Sequence, residues 1–229
     1  MSERVKNSEK ELLAIISSSV HDMKTPLTSI AGFADAMLDG TVPHEKHGHY
    51  LQVIRDEAER LRQICEELLE ASKIESGTKS YSMKPFDICE TARKVLISME
   101  SAINDKKLDV FFEAPHEGIT ALGDENSITR VLYNICDNAV KFSYEGGALR
   151  ILLRTDGKMA EVSIENKGEG MSAEELDKIF LPFYKKGERS GTGLGMFIAK
   201  NIVDAHGGSI RAESTLGERT VFTVRIDRG

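Results

Sequence analysis

The sequence is poor in several features that would each have fixed a function class. No apolar run approaches the 18 or more residues of a membrane span, and the opening stretch from Met1 to Lys6 carries no signal-peptide core. Cysteine is scarce: Cys65, Cys89 and Cys136 lie far apart in apolar-periodic segments, with no Cys-x-x-Cys pair. That excludes a disulfide scaffold and a zinc ribbon, and the three read as reduced packing residues of a cytosolic protein. Positive charge is outnumbered, 30 Lys and Arg against 37 Asp and Glu, for a net charge of −7. An acidic chain is a poor general nucleic-acid binder, so no nucleic-acid partner is expected. There is no Gly-Lys-Ser/Thr, which excludes a P-loop. The chain has only five prolines, and one of them, Pro26, falls where a helix is otherwise expected.

What is present begins with a heptad seam. Apolar residues recur at Leu13, Ile16, Val20, Met23, Leu27, Ile30, Ala34 and Met37, alternating three and four apart. An average spacing of 3.5 is a coiled-coil seam. Residues 39–44 interrupt it with Gly40 and Pro43. It resumes at Leu51, Ile54, Ala58, Leu61, Cys65, Leu68 and Ser72, then stops at Ser76-Gly77. Residues 1–78 thus read as an antiparallel helical hairpin. Two helices leave each seam half covered, and the standard remedy is a second copy, so a homodimeric four-helix bundle is expected. Inside the first helix, Pro26 and Gly32 cost about 3 and about 1 kcal/mol relative to alanine. The carbonyl that Pro26 leaves without a partner belongs to Asp22, which places the bend on the His21-Asp22 pair.

Residues 79–229 change character. Strands are expected at 82–86, 108–113, 119–122, 148–155, 159–166, 209–213 and 219–226. Helices are expected at 87–106, 125–142 and 196–205, and Asp156-Gly157 marks a hairpin turn. This order suggests an α+β layered sandwich and, for the whole chain, a multidomain α and α+β protein. On the helix 125–142, Asn134, Asn138 and Lys141 share one narrow face at about 100° per residue. Two amides and a cation on an otherwise apolar helix are costly to desolvate unless a polar ligand meets them. Two glycine stretches follow, Asn166-Lys-Gly168-Glu-Gly170 and Gly191-Thr192-Gly193-Leu194-Gly195, the second opening a helix whose N-terminus suits phosphates. Between them Phe180 and Phe183 precede a short basic loop with Lys185, Lys186 and Arg189, read as a lid over a polyphosphate. Each stretch alone is a weak signal, and a solvated helix side or a plain connecting loop would explain it.

Taken together the motifs carry a resemblance. His21-Asp22-Met-Lys-Thr25-Pro26-Leu-Thr28 resembles the phosphoacceptor box of sensor histidine kinases of two-component systems. The four later stretches look like the N, G1, F and G2 boxes of the ATP-binding fold shared by histidine kinases, gyrase, heat-shock chaperones and mismatch-repair ATPases. The resemblance implies a dimerisation and phosphoacceptor hairpin followed by an ATP-binding α/β sandwich. It implies ATP and Mg²⁺ as cofactors, a response-regulator receiver domain as partner, and a cytoplasmic location, free or as the cytoplasmic part of a membrane-anchored sensor whose upstream sensing region is not in this chain. By it, His21 is the nucleophile, Asp22 the proton acceptor, and Thr25 supports phosphatase chemistry. Asn138 binds Mg²⁺, and Asn134, Lys141 and Lys185 contact phosphates. Gly191, Thr192, Gly193, Leu194 and Gly195 cradle the phosphate chain, while Asn166, Gly168, Gly170 and Phe183 complete the nucleotide site.

Two departures stand out. Asn166 occupies the place of the family's adenine-binding aspartate, and a neutral acceptor is weaker than a charged one. The lid is also short. A conformational ATPase predicts ATP turnover without a stable phosphohistidine and would leave the His21 box unexplained; a non-catalytic phosphotransfer scaffold rests on Asn166 alone, and a nucleotide titration decides it.

Overall fold

The structure is a computed structural model and describes residues 22–186 and 191–229. His21, the seam residues Leu13, Ile16 and Val20, and the lid segment 187–190 with Arg189 lie outside the described residues. A first helix, α1 (residues 22–38), runs unbroken through Pro26. A turn and a 3-10 segment (His44–Lys46) lead into α2 (His47–Glu75), giving the expected hairpin. Beyond it come β1 (Lys84–Asp87), α3 (Ile88–Ser98), α4 (Glu100–Asp105), β2 (Asp109–Glu113), β3 (Thr120–Gly123), α5 (Glu125–Phe142), β4 (Ala148–Asp156) and β5 (Met159–Lys167). The chain ends with α6 (Ala173–Lys178), α7 (Gly195–Ala205), β6 (Ser209–Thr215) and β7 (Arg219–Asp227).

A five-stranded mixed sheet has the order β2-β4-β5-β7-β6, with β2 parallel to β4 and the other pairs antiparallel; β1 and β3 form a separate antiparallel pair. Strand alternation sorts the two faces. Leu149, Ile151 and Leu153 of β4, Ala160, Val162 and Ile164 of β5, and Phe222, Val224 and Ile226 of β7 are buried in one core with the apolar stripes of α3, α5 and α7. The other face carries ion pairs, among them Arg150 and Arg219 with Glu165 and Arg154 with Glu161. This two-layer sandwich is the expected α+β unit.

The structure corrects the sequence reading in several places. The helix expected over 87–106 is split: Met99 leaves the helical region at φ −104°, ψ 7°, and α4 starts afresh after it. Helix α6 was not anticipated. It is held by a capping box in which the Ser172 hydroxyl accepts from Glu175 N–H and the Glu175 carboxylate accepts from Ser172 N–H. The hairpin is barely buried within one chain: Leu27 and Leu51 are 57 % and 55 % exposed, whereas Ala71 of α2 belongs to the sandwich core. Helix α2 therefore presents a second apolar face, distinct from the seam. Cys89 and Cys136 are buried, and burial pushes the Cys136 thiol up to about 12, which suits packing rather than reactivity. Among the described residues no helix is long and apolar enough to cross a membrane.

Candidate functional site

Helix α5 positions the first part of the site. Its N-terminus is fixed by Asp124, whose carboxylate accepts from Ser127 N–H at 2.9 Å and from Ser82 N–H at 2.9 Å. Burial would raise the Asp124 carboxyl, but these N–H donors outweigh it and hold it below the usual range. With Ile128, Val131, Leu132, Ile135 and Ala139 committed to the core, Asn134, Asn138 and Lys141 are left to line a cavity between α5, the ends of β5 and β7, and the start of α7. Asn134 Nδ2 donates to Gly195 O at 2.8 Å, tying α5 to the first residue of α7. Lys141 Nζ lies 2.6 Å from Asp137 Oδ2.

The cavity lining divides by chemistry. Phe142, Met171, Ile179, Met196 and Phe222 supply apolar walls; Lys141, Lys185, Lys186, Gly191, Thr192 and Gly193 supply cations and backbone suited to phosphates. Gly193 (φ +74°) accepts a hydrogen bond from Phe183 N–H at 3.0 Å, and a Cβ on it would lie 2.7 Å from the Phe183 carbonyl carbon. Phe183 itself sits at φ +62°, a left-handed conformation that costs a non-glycine residue about 1–2 kcal/mol. Phe183 is thus pinned to the glycine loop. Lys186 Nζ donates to Gly170 O at 2.6 Å.

Contacts made by Asp22 and Glu67 join the hairpin to this cavity. Lys185 Nζ lies 2.7 Å from Asp22 Oδ2 on α1, both side chains largely buried. Glu67 of α2 lines the cavity and accepts a hydrogen bond from the Thr192 hydroxyl. Burial pushes the Glu67 carboxyl above its ordinary value, against the lowering effect of Thr192 and of the Arg130 and Lys141 cations.

The architecture has counterparts among known proteins. Residues 123–229 match the family model described as histidine kinase-, DNA gyrase B- and HSP90-like ATPase, and residues 8–77 match the His Kinase A phosphoacceptor domain. The solved catalytic domain of histidine kinase ThkA is 31 % identical, with 64 % of this chain covering 98 % of that one at a TM-score of 0.59. The chain belongs to the sensor histidine kinase family. In the crystal structure of ThkA with the response regulator protein TrrA, a histidine kinase chain is 28 % identical, with 99 % of this chain covering 65 % of that one at a TM-score of 0.76. Sensor histidine kinase WalK of Bacillus subtilis is 28 % identical over 232 residues, 98 % of this chain but 37 % of WalK, so the chain spans little more than a third of that relative.

In this member of the family the expected site residues fall into three groups. Asn134, Asn138, Lys141, Asn166, Gly170, Lys185, Gly191, Thr192, Gly193 and Gly195 line the one cavity. Asp22 reaches it through Lys185, while Thr25, three residues on along α1, is exposed. Gly168, Phe183 and Leu194 are not in the lining. Gly168 is a packing glycine, since a Cβ there would lie 2.0 Å from Phe142 O, and Leu194 is a core residue 1 % exposed. Gly170 serves both ends: it lines the cavity, yet at φ +64° a Cβ would fall 2.1 Å from Thr215 O. Sequence reasoning missed Glu67 and Thr220. Glu67 sits in the run Glu66-Glu67-Leu68 with nothing to single it out. Thr220 continues the buried alternation of β7 into the cavity and was legible from that period.

The lining fits the ligands that the family implies. Among the described residues no cluster of three acidic or imidazole groups could hold a metal alone. A single amide oxygen, Asn138, on the cavity wall suits Mg²⁺, which takes most of its ligands from phosphates and water. The apolar walls suit a heterocyclic base and the cationic part a phosphate chain.

Proposed function

We propose that this chain is an ATP-dependent protein histidine kinase that phosphorylates His21 and passes the phosphoryl group to an aspartate of a response-regulator receiver domain. The observation that carries this reading is the 2.7 Å contact between Lys185, on the cavity wall, and Asp22, the residue after His21 in the phosphoacceptor box. It links the phosphate part of the cavity to the residue adjoining the nucleophile.

In the proposed reaction an imidazole nitrogen of His21 attacks the γ-phosphorus of ATP. A phosphorus–nitrogen bond forms, the bond to the ADP oxygen breaks with its electron pair, and Asp22 takes the ring proton. A histidine near its ordinary pKa is substantially neutral at pH 7 and so available to attack. Lys141 and Lys185 offset the charge of the transferring group. Mg²⁺ held at Asn138 would add positive charge on the phosphates. Asn134 fixes the glycine loop through its bond to Gly195.

The finer assignments belong to the same reading. The ThkA–TrrA complex supports a receiver as partner. The exposed seam residues Leu27 and Leu51 support a homodimer in which hairpins of residues 1–78 pair, with residues 79–229 as the nucleotide-binding unit. Asp22 and the exposed Thr25, on one side of α1, suit positioning of a water that dephosphorylates the receiver, so we assign phosphatase activity as well.

Incubation with γ-labelled ATP and Mg²⁺ should give an acid-labile, base-stable phosphoprotein, lost in His21→Ala and in Asn138→Ala. Persistent labelling of His21→Ala would overturn the assignment. Thr25→Ala should keep the label and slow receiver dephosphorylation; equal loss of both would reject the separate roles.

A further inference from the structure

We propose that the base-binding part of the cavity accepts 6-oxopurine triphosphates as well as ATP, and that Asn166 sets this tolerance. The inference rests on the nucleotide-site reading above. Asn166 is 2 % exposed and lines the cavity at the end of β5, opposite Thr220 of β7. Its Nδ2 is fully buried without a hydrogen-bond partner among the described residues. No partner among the described residues holds that terminal group, so a half-turn about its bond can bring either the amide oxygen or Nδ2 to the cavity.

The neighbouring polar group adds an acceptor. The Ser214 hydroxyl donates to Arg219 O at 2.7 Å and accepts from Met171 N–H at 2.8 Å. The Thr220 hydroxyl, 2.9 Å from it, must then donate to Ser214, which leaves its lone pairs as acceptors at the cavity. No carboxylate joins these two groups: the acids of the lining are Glu67, bound to Thr192, and Asp137, paired with Lys141. The base-binding part is therefore neutral and offers both donors and acceptors.

That composition decides what edge of a purine it accepts. A carboxylate in place of Asn166 could only accept, which favours a 6-amino group and opposes a 6-oxo group. An amide does both, and a half-turn about its terminal bond exchanges the two roles. With its oxygen toward the cavity it accepts from the amino group of adenine. With Nδ2 toward the cavity it donates to the 6-oxo group of hypoxanthine or guanine.

The test is calorimetric titration of the full chain with Mg-ATP, Mg-ITP and Mg-GTP, in wild type and Asn166→Asp. ITP isolates the 6-position because it lacks the 2-amino group of guanine. Wild type should bind ATP and ITP with dissociation constants within about tenfold of each other. Asn166→Asp should move that ratio at least about tenfold toward ATP, the scale of one unmatched buried polar contact. A wild-type preference for ATP above tenfold, or a ratio that Asn166→Asp leaves unmoved, overturns the inference while ATP binding itself stands. No titration by any of the three nucleotides overturns the inference together with the nucleotide site. The wild-type ratio decides the matter even if the variant does not fold.

Discussion

The two halves of the molecule are stabilised in different ways. The sandwich closes a core within one chain: Ile128, Leu132, Ile135, Ile164, Ile198 and Ile202 are at most 1 % exposed. The hairpin has far less to bury: among the described residues of α2, Ile64 and Ala71 alone are buried, and Leu27, Leu51 and Leu69 all exceed 50 % exposure. A long helix in water gains most of its stability from packing rather than propensity. The sandwich thus holds its shape alone, while the proposed pairing with a second hairpin would cover the seam.

The largest test of this contrast is Leu132→Ala. Truncating a fully buried leucine should cost about 3–4 kcal/mol in urea unfolding, and a cost below about 1 kcal/mol would mean that the sandwich core is not the stabilising unit. Next in size is Leu27→Glu. A carboxylate in an apolar seam should weaken dimerisation by about 2–3 kcal/mol or more, read as a monomer by sedimentation at micromolar concentration with the sandwich still folded. Retention of the dimer would place the interface elsewhere.

Glu67→Gln probes the joint between the halves and should act more gently. Removing a carboxylate beside the phosphate part of the cavity should tighten Mg-ATP binding about three- to tenfold, the scale of one partly screened charge contact. The same variant carries the pH prediction. The folded-state carboxyl of Glu67 is raised above its ordinary 4.5 by burial, so the docked arrangement favours the neutral acid, and that stability fades as pH rises above 4.5. Glutamine does not ionise. Thermal melts of Glu67→Gln and wild type should agree near pH 4.5 and diverge above it, with the variant the more stable; melts that stay parallel would refute the contact. The smallest effect belongs to Leu38→Ala, 85 % exposed at the end of α1, which should change unfolding free energy by no more than about 0.5 kcal/mol.

Elements with a strong period and a cap were legible. Helix α5 falls on residues 125–142 as expected because Asp124 caps it and its apolar stripe is continuous. The β4–β5 hairpin was visible from Asp156-Gly157, with Gly157 at φ +61°. Helix α6 was missed because it has six residues and none buried, yet Ser172-Ala-Glu-Glu175 is a capping-box sequence that could have revealed it. The break at Met99 had no proline or glycine to announce it. The cavity was legible on the α5 side, where three polar residues share a face. Glu67 was not, because what distinguishes it is a hydroxyl 125 residues away in sequence. Gly168 was assigned to the ligand, whereas steric closeness to the Phe142 carbonyl requires glycine there.

Glu67 and Ala71 lie one turn apart on α2, the first hydrogen-bonded to Thr192 and the second embedded in the sandwich core. The distal end of that helix is consequently seated in the sandwich like a key in a lock. A rotation imposed on it upstream would reach the phosphate cradle as a change in where one carboxylate rests, with no slack segment in between to absorb it.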